Sequence, residues 1–191
     1  MNRKVIVESS KIVFDDFYKL EEATFQYELP DGKMTEPQTR LCFHRGDSVA
    51  CAVWNTDTRQ AIMVRQFRYP GYAHGDGWIT EVVAGMLKEG HDPVDEMKRE
   101  VLEEIGYETA TIEHITTCYA SPGGSSERVF LYYVEVNDTG RKTNGGGLEE
   151  ESENIEILHY SLDELKAALK HNDIKDAKSI IACNYLLAKQ A

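Results

Sequence analysis

The sequence lacks long hydrophobic runs, closely spaced cysteines and an excess of positive charge. No apolar run approaches the roughly 18 residues that suggest a membrane-spanning helix. Residues 1–8 include two basic side chains with no apolar core behind them, so we expect no secretory leader. The four cysteines are far apart and form no Cys-x-x-Cys pair, which argues against a zinc site and a disulfide framework. These absences predict a cytoplasmic globular protein whose thiols are free.

The chain is strongly acidic, with 33 Asp and Glu against 21 Lys and Arg and a formal net charge of −12. Such a charge disfavours nucleic acid and anionic membranes, so neither is expected as a partner. A polyphosphate ligand would need accompanying cations to approach the protein. The 191 residues can bury one sizeable core, with room for only a small appendage.

The stretch from Gly85 to Gly106 predicts a loop followed by one helix over residues 93–105. Asp92 is a favoured N-cap residue, Pro93 suits the first helical position, and Gly106 supplies a C-terminal stop. Four apolar residues recur at three- and four-residue steps and form a stripe that would pack on a core. They are Val94, Met97, Val101 and Ile105.

The other side of this helix carries four carboxylates, Glu96, Glu100, Glu103 and Glu104. Like charges at this spacing repel one another by a few tenths of a kcal/mol per pair, so their clustering needs a reason. A divalent cation with a preference for oxygen ligands, such as Mg²⁺ or Mn²⁺, would remove the repulsion. Charge spacing alone leaves a solvated acidic helix as the alternative.

The order of residues in this stretch resembles the signature of the Nudix hydrolases. That signature reads Gly-x5-Glu-x7-Arg-Glu-U-x-Glu-Glu-x-Gly-U, where U is apolar. Here Gly85 is followed by position 91 and then by Arg99-Glu-Val-Leu-Glu-Glu-Ile-Gly-Tyr107. The departure is His91, which stands where the family has its first Glu.

In the family the first Glu mainly braces the loop and helix, whereas the metal ligands come from the Arg-Glu-x-x-Glu-Glu run. The resemblance therefore implies that His91 affects the bracing of the loop and helix before it affects catalysis. We expect a neutral His91 to accept a hydrogen bond from Arg99 and a protonated one to repel it. On this interpretation His91→Glu would raise stability, and acid would cost the wild type more than the variant.

Alternation and turn residues predict an α+β protein with a small N-terminal antiparallel β subdomain, residues 1–45, and a main domain, residues 46–191. Ser161 and Asp176 are favoured N-caps for helices over 162–170 and up to residue 189. The segment 140–152 is expected to be a mobile loop, because three adjacent glycines are costly to order. Strands are predicted over 4–8, 11–14, 18–29, 39–43, 47–54, 60–67, 78–84, 111–119, 129–136 and 154–160.

Four further segments resemble one branch of the family, the ADP-ribose pyrophosphatases and related nucleoside-diphosphate-sugar hydrolases, including GDP-mannose hydrolases. The resemblance implies the Nudix fold, a mixed β-sheet sandwiched by helices. It also implies a homodimer in which the N-terminal strands are exchanged, so that each active site borrows residues from the other copy. The segments are Arg65-Gln-Phe-Arg68, Trp78-Ile-Thr-Glu-Val-Val-Ala-Gly-Met86, Ser121-Pro-Gly-Gly-Ser-Ser-Glu-Arg128 and Glu151-Ser-Glu-Asn-Ile155.

The same resemblance assigns the metal ligands and the general base. The metals would be held by the backbone carbonyl of Ala84 and by Glu100 and Glu104, with Glu103 supporting them. The base would be a carboxylate before the last strand, for which Glu153 is the best match and Glu151 the alternative. Loop acids at these positions are otherwise simply solvated.

The resemblance also assigns substrate contacts. Arg68 and Glu81 match residues that touch the substrate, and Glu127 matches one that approaches the reacting water and the metals. From the second copy, Arg40 would meet phosphate and Phe17 would stack on the base. An ordinary core aromatic is the competing interpretation for Phe17.

The function implied is Mg²⁺-dependent hydrolysis of a nucleoside diphosphate sugar, with ADP-ribose giving AMP and ribose 5-phosphate as the first expectation. GDP-mannose is the alternative substrate. Two other classes stay open at this point. One is a non-catalytic Nudix-fold regulator that binds a nucleotide sugar, against which the intact Glu100, Glu103 and Glu104 count. The other is an acidic interaction domain without a site.

Overall fold

The computed structural model describes residues 3–148 and 153–191. It divides into two compact units. The N-terminal unit comprises Met1–Gly46 together with Tyr119–Glu127, and the main unit comprises Asp47–Cys118 and Arg128–Ala191. The loop Tyr119–Glu127 thus groups with the N-terminal residues although it lies far away in the sequence.

The N-terminal unit is a three-stranded antiparallel sheet in the order β1-β2-β3. Its strands are β1 Val5–Asp15, β2 Lys19–Tyr27 and β3 Gln38–His44. The sequence predicts two short strands in place of β1. A single strand forms instead, because its pairing with β2 shifts register at two points along β1 and so absorbs the irregularity as bulges. The predicted antiparallel subdomain is confirmed.

The main unit contains a seven-stranded sheet. Its longest path runs β10-β5-β4-β9-β8, with β6 paired to β5 and β7 paired to β4. The β4–β9 pair is parallel, whereas β4 pairs antiparallel with β5 and β7, so the predicted mixed sheet is confirmed. The strands are β4 Ser48–Asn55, β5 Gln60–Phe67, β6 Trp78–Glu81, β7 Val83–Met86, β8 Thr111–Tyr119, β9 Arg128–Val136 and β10 Glu156–Tyr160.

The segment predicted as one strand over 78–84 forms two strands, β6 and β7. Glu81 pairs with Val64 on β5, whereas Val83 pairs with Cys51 on β4. Val82 lies between them, and its N–H donates to the hydroxyl of Ser179 at 2.9 Å. The chain therefore changes neighbours immediately before the signature loop, a step that depends on tertiary pairing and not on local pattern.

Within residues 3–148 and 153–191, four α-helices accompany the sheet: α1 Tyr69–Tyr72, α2 Pro93–Glu100, α3 Leu162–Lys170 and α4 Ala177–Lys189. The predicted starts of α3 and α4 are confirmed, because Ser161 forms a capping box with Glu164 and Asp176 accepts from the N–H of Ser179. The short α1 lies between the predicted strands 60–67 and 78–84 and was not predicted from the sequence. The helix predicted over 93–105 continues beyond α2 as a π-helical segment, Val101–Ile105.

The two faces of β4 define two cores. Val49, Cys51 and Val53 belong to the cluster that includes Met97 and Val101 of the signature helix. The intervening Ala50, Ala52 and Trp54 pack in the cluster that includes residues of α3 and α4. Successive side chains of a strand point to opposite faces, so helices cover both sides of the sheet. The predicted sandwich is confirmed.

The structure also bears on the expectations of free thiols and of no membrane-spanning helix. All four cysteines are free, and Cys51 and Cys183 are buried while Cys42 and Cys118 are partly exposed. Within the described residues, no helix has both the length and the hydrophobicity needed to cross a lipid bilayer.

Candidate active site

The signature helix is held at both ends by backbone hydrogen bonds. At its start, the carboxylate of Asp92 accepts from the N–H groups of Val94 and Asp95 at 2.8 and 3.2 Å. At its end, Gly106 has a φ of +81°, a left-handed conformation that favours glycine. These caps fix the position of every carboxylate between them.

The glycine-rich loop also binds the end of this helix. The N–H of Gly146 donates to the carbonyl of Glu104 at 2.9 Å, and that of Gly147 donates to the carbonyl of Glu103 at 3.3 Å. The last carbonyls of a helix have no donors within the helix, and the N–H groups of this loop act as their donors. The described part of the loop expected to be mobile is thus hydrogen-bonded to the acidic helix, and it leads towards Glu153.

Glu104 is the most deeply buried carboxylate of the group, at 1% exposure. Its Oε2 has no hydrogen-bond partner among the described residues, although the backbone of Ala84 donates to the carboxylate. Burial, reinforced by the charges of Glu100 and Glu153, raises the pKa of Glu104 well above its ordinary value. A buried carboxylate oxygen without a donor is a costly arrangement unless something positive joins it.

Glu100 lies against the backbone of the signature loop. A Cβ atom at Gly85 would overlap the carboxyl group of Glu100, so this close approach requires glycine at position 85. The pKa of Glu100 is raised to about 7, chiefly by burial; Arg99 opposes this rise, and the charges of Glu103 and Glu153 contribute to it. Glu100 and Glu104 therefore form a pair of buried carboxylates beside Ala84 and Gly85.

Arg99 supplies the local positive charge. Its guanidinium binds the carboxylates of Glu96, Glu100 and Glu103. Within residues 3–148 and 153–191, no three His, Cys, Asp or Glu side chains converge in a geometry suited to a metal ion. In this arrangement Arg99 binds both Glu100 and Glu103.

The donor set nevertheless fits a divalent cation. Glu104 has a buried oxygen that receives no hydrogen bond from the residues described here, and both Glu100 and Glu104 have raised pKa values. Carboxylate and carbonyl oxygens are the ligands that Mg²⁺ and Mn²⁺ prefer. The residues present could hold such an ion through Glu100, Glu104 and the carbonyl of Ala84, with Glu103 beside them.

Glu153, the predicted base, is half-buried, and its N–H donates to the carbonyl of Leu148 at 3.2 Å. Its charge contributes to the raised pKa values of both Glu100 and Glu104 and also acts on Arg68. The structure thus brings Glu153 into the same electrostatic neighbourhood as the signature carboxylates. The alternative base, Glu151, lies outside the described residues.

Arg68 and Glu81 form a second part of the site. Glu81 is 4% exposed and accepts from Nε and Nη2 of Arg68 at 3.0 and 2.9 Å. Burial acts against the charge of Arg68, but hydrogen bonds to Glu81 raise the pKa of Arg68. Lys178 was not predicted from the sequence, yet its Nζ lies 3.2 Å from Glu81 and 3.0 Å from Asp176. No local pattern marks Lys178, since α4 reaches Glu81 only through the tertiary fold.

Three predicted residues belong to the N-terminal unit. Phe17 is 78% exposed, so the interpretation of Phe17 as a core aromatic is wrong. Arg40 is exposed and donates to the carbonyl of Thr39 and the side chain of Gln38. Glu127 is buried and lies 3.3 Å from Arg45. The roles predicted for Phe17, Arg40 and Glu127 stay predictions.

The contact expected between His91 and Arg99 is wrong. Nδ1 of His91 lies 2.9 Å from Oε2 of Glu96, and a carboxylate can only accept, so Nδ1 is the donor. Protonation of His91 would preserve this bond, which removes the reason for expecting acid to harm the wild type. A Glu at position 91 would instead face the carboxylate of Glu96, so the expected gain in stability from His91→Glu is withdrawn.

Comparison with solved structures identifies the class of the fold. The chain superposes on a crystal structure of an ADP compounds hydrolase with a TM-score of 0.69, covering 98% of this chain and 93% of that chain. The sequence identity is 16%, so this likeness concerns the fold alone. A mixed sheet between helices, with an acidic helix after a tight loop, is therefore a fold that this solved structure shares.

The family follows from the sequence. The model of the NUDIX domain matches residues 44–182, which is well over half of the chain. The protein therefore belongs to the Nudix family of hydrolases, as its signature indicated.

Curated relatives extend the match to nearly the whole chain. Two of them are GDP-mannose pyrophosphatases, one from Citrobacter koseri and one from Escherichia coli strain K12. Each is 29% identical to this chain over 188 residues, covering 97% of this chain and 96% of the relative. The similarity therefore includes the N-terminal unit as well as the Nudix domain.

We expect Glu104→Gln to lower kcat to less than about a tenth of the wild-type value, because it removes one of the two buried carboxylates that are predicted to hold the cation. In EDTA the variant should be at least as stable as the wild type at pH 7–8. The pKa of Glu104 is raised on folding, so the wild type loses stability as pH rises above the unfolded value near 4.3.

Activity assays at saturating Mg²⁺ and thermal melts in EDTA between about pH 5 and 8 check this prediction. Glu108→Gln is the matched control, since Glu108 is exposed on the far side of Gly106. A variant that keeps more than about a tenth of kcat would contradict the assignment of Glu104 as a ligand.

Proposed function

We propose that this protein hydrolyses the pyrophosphate bond of a nucleoside diphosphate sugar with the help of Mg²⁺, or of Mn²⁺ in its place. The observation that carries the proposal is the buried pair Glu100 and Glu104. Both have raised pKa values, and Oε2 of Glu104 has no donor in the described part of the chain. Cleavage of that bond gives a nucleoside monophosphate and a sugar phosphate. The full-length match to GDP-mannose pyrophosphatases supports this substrate class.

The residues of the main unit divide the work. Glu100, Glu104 and the carbonyl of Ala84 would hold the cation, and Glu103 would support them. When bound, the cation supplies charge neutralisation for the pyrophosphate and lowers the pKa of a water molecule. Arg68 is always positively charged, its ion pair with Glu81 stabilises that charge further, and its guanidinium is partly exposed. It is therefore suited to bind a substrate phosphate.

Glu153 would take the proton of the attacking water. The support for this role of Glu153 is electrostatic, because its charge acts on Glu100, Glu104 and Arg68. A general base needs to lie near the reacting water and to be ionised when that water attacks. Glu127, buried beside Arg45, would assist at the reacting water, as the resemblance to the family implies.

The preferred sugar nucleotide is the finer question. The resemblance of the four sequence segments favours ADP-ribose. The solved structure that shares the fold is that of an ADP compounds hydrolase. At 16% identity that structure supports the fold and not the substrate. The GDP-mannose pyrophosphatases match almost end to end at 29% identity. We therefore place GDP-mannose first, with GMP and mannose 1-phosphate as products, and ADP-ribose second.

We also propose a homodimer with exchanged N-terminal strands. All eleven residues of β1 are exposed, including Val5, Val7 and Phe14. Exposed apolar side chains on one strand mark an interaction surface, and a second copy is the occupant that the resemblance implies. In such a dimer Arg40 would meet phosphate and Phe17, already exposed, would stack on the base of the substrate bound by the other copy.

The first test of the function is a hydrolysis panel of GDP-mannose, ADP-ribose, ADP-glucose, NADH and diadenosine polyphosphates, each with and without Mg²⁺. We expect turnover only with Mg²⁺, because the phosphate charge must be neutralised. GDP-mannose should have the highest kcat/KM. A higher kcat/KM for ADP-ribose would reverse the proposed order. Binding without turnover of any substrate would instead support a non-catalytic regulator.

A second test separates the two candidate bases. Glu153→Gln should lower kcat on the order of a hundredfold or more, because it removes the proton acceptor. Its KM should change little. Glu151→Gln is the matched control, with the same chemical change two residues earlier. If Glu151→Gln loses more activity than Glu153→Gln, the base has been assigned to the wrong carboxylate.

The dimer with shared sites can be tested by mixing two inactive variants, Arg40→Ala and Glu104→Gln. After unfolding and refolding together, each mixed dimer should contain one intact site. Random pairing should then restore about a quarter of the wild-type activity. The same variants refolded separately provide the control. No recovery, despite mixed dimers seen by mass spectrometry, would show that Arg40 does not serve the site of the other subunit.

A further inference from the structure

We propose that Glu96 is a positioning residue that performs the task the Nudix signature gives to a carboxylate at position 91. It holds Arg99 and thereby controls how firmly Arg99 binds the metal-ligating carboxylates. The inference rests on the proposed metal-dependent hydrolysis. It concerns the first turn of α2, where this chain departs from the signature.

The geometry of Glu96 is that of a fully used buried acceptor. The side chain is 2% exposed. Its Oε1 accepts from Nε of Arg99 at 3.0 Å and from Nη2 at 2.5 Å. Its Oε2 is bonded to Nδ1 of His91 at 2.9 Å. Both oxygens are therefore occupied, one by the helix and one by the loop that precedes it.

The electrostatics agree with this arrangement. Burial works against the charged form of Glu96, but hydrogen bonds from Arg99 and His91 outweigh it and lower the pKa of Glu96. A carboxylate that stays ionised inside the protein is a strong and permanent partner for a guanidinium. Glu96 thus replaces the missing loop carboxylate from within the helix, and His91 links the loop to it.

Arg99 binds three carboxylates, of which Glu100 and Glu103 would also serve the cation, whereas Glu96 would not. Besides Glu96, its guanidinium binds Glu100 and Glu103. A cation that binds Glu100 must compete with Arg99 for that carboxylate. While Glu96 is present, Arg99 keeps a buried anionic partner after releasing Glu100. Without the charge of Glu96, the guanidinium would depend on Glu100 and Glu103 and would oppose the cation more strongly.

The test compares Glu96→Gln, His91→Glu, the double variant His91→Glu/Glu96→Gln, and Asp95→Asn. Asp95 is the matched control, because it lies next to Glu96, is exposed, and pairs with Lys98. Its substitution removes the same charge without touching Arg99. Two quantities are measured for each protein: the Mg²⁺ concentration that gives half of the maximal thermal shift without substrate, and that which gives half-maximal turnover.

We expect Glu96→Gln to raise both Mg²⁺ concentrations on the order of tenfold, because residues that orient metal ligands typically contribute this much to affinity. The kcat at saturating Mg²⁺ should fall far less. Asp95→Asn should match the wild type. His91→Glu alone should lower the melting temperature in EDTA, because it places a carboxylate against Glu96. The double variant should recover to within about threefold of the wild type, a strong coupling between the two positions.

Two outcomes would overturn the proposal. One is a Glu96→Gln variant that behaves like Asp95→Asn, which would reduce Glu96 to one charge among several. The other is a double variant no better than Glu96→Gln. If Glu96→Gln fails to fold, Glu96→Asp replaces it, because it keeps the charge on a shorter side chain. This variant should still respond to Mg²⁺, but both half-maximal Mg²⁺ concentrations should be higher than those of the wild type. Failure of every substrate would reject the proposed function alone, since the thermal shifts need no substrate.

Discussion

The structure depends on confining like charges in the protein interior. Glu96, Glu100 and Glu104 are buried on consecutive turns of one helix, and Glu153 adds its charge to the same region. Burying carboxylates is costly unless positive charge or donors accompany them. Arg99 meets part of this need by binding three of the helix carboxylates. Arg99 leaves Oε2 of Glu104 without a partner, and no other residue in 3–148 and 153–191 donates to it.

The rest of the main unit keeps these charges in place. The chain changes neighbours between β6 and β7, which brings Ala84 and Gly85 against Glu104 and Glu100. The hydroxyl of Ser179 on α4 fixes the change of strand by accepting from Val82. On the same helix, Lys178 joins Arg68 in balancing the buried charge of Glu81. The glycine-rich loop closes the far end of the signature helix. Helix, sheet and loop therefore act together on one small group of oxygens.

Features encoded by neighbouring residues could be predicted from the sequence. The bounds of β5 and β8 and the starts of α3 and α4 agree with alternation and capping, because these depend on contacts within a few residues. The signature, a run of residues fixed in order and spacing, identified the family and located the acidic helix.

Features that depend on distant partners could not be predicted. The division of 78–84 into two strands and the contact of Lys178 with Glu81 arise from tertiary contacts, and no local pattern predicted the π-helical end of the signature helix. The predicted contact between His91 and Arg99 was wrong for a related reason. The resemblance to the family directed attention to Arg99, whereas the loop places the imidazole beside Glu96. A substitution in a signature can be balanced by a residue that the signature leaves free.

The central claim is that Glu100, Glu104 and the carbonyl of Ala84 bind a divalent cation that Arg99 yields to. A crystal structure grown with Mn²⁺, and its anomalous difference map, tests this most directly. We predict a peak within about 2.0–2.6 Å of oxygens from all three residues, with Arg99 still bound to Glu96 and withdrawn from Glu100. A map without a peak there, and with Arg99 still bridging Glu100 and Glu103, would contradict the account.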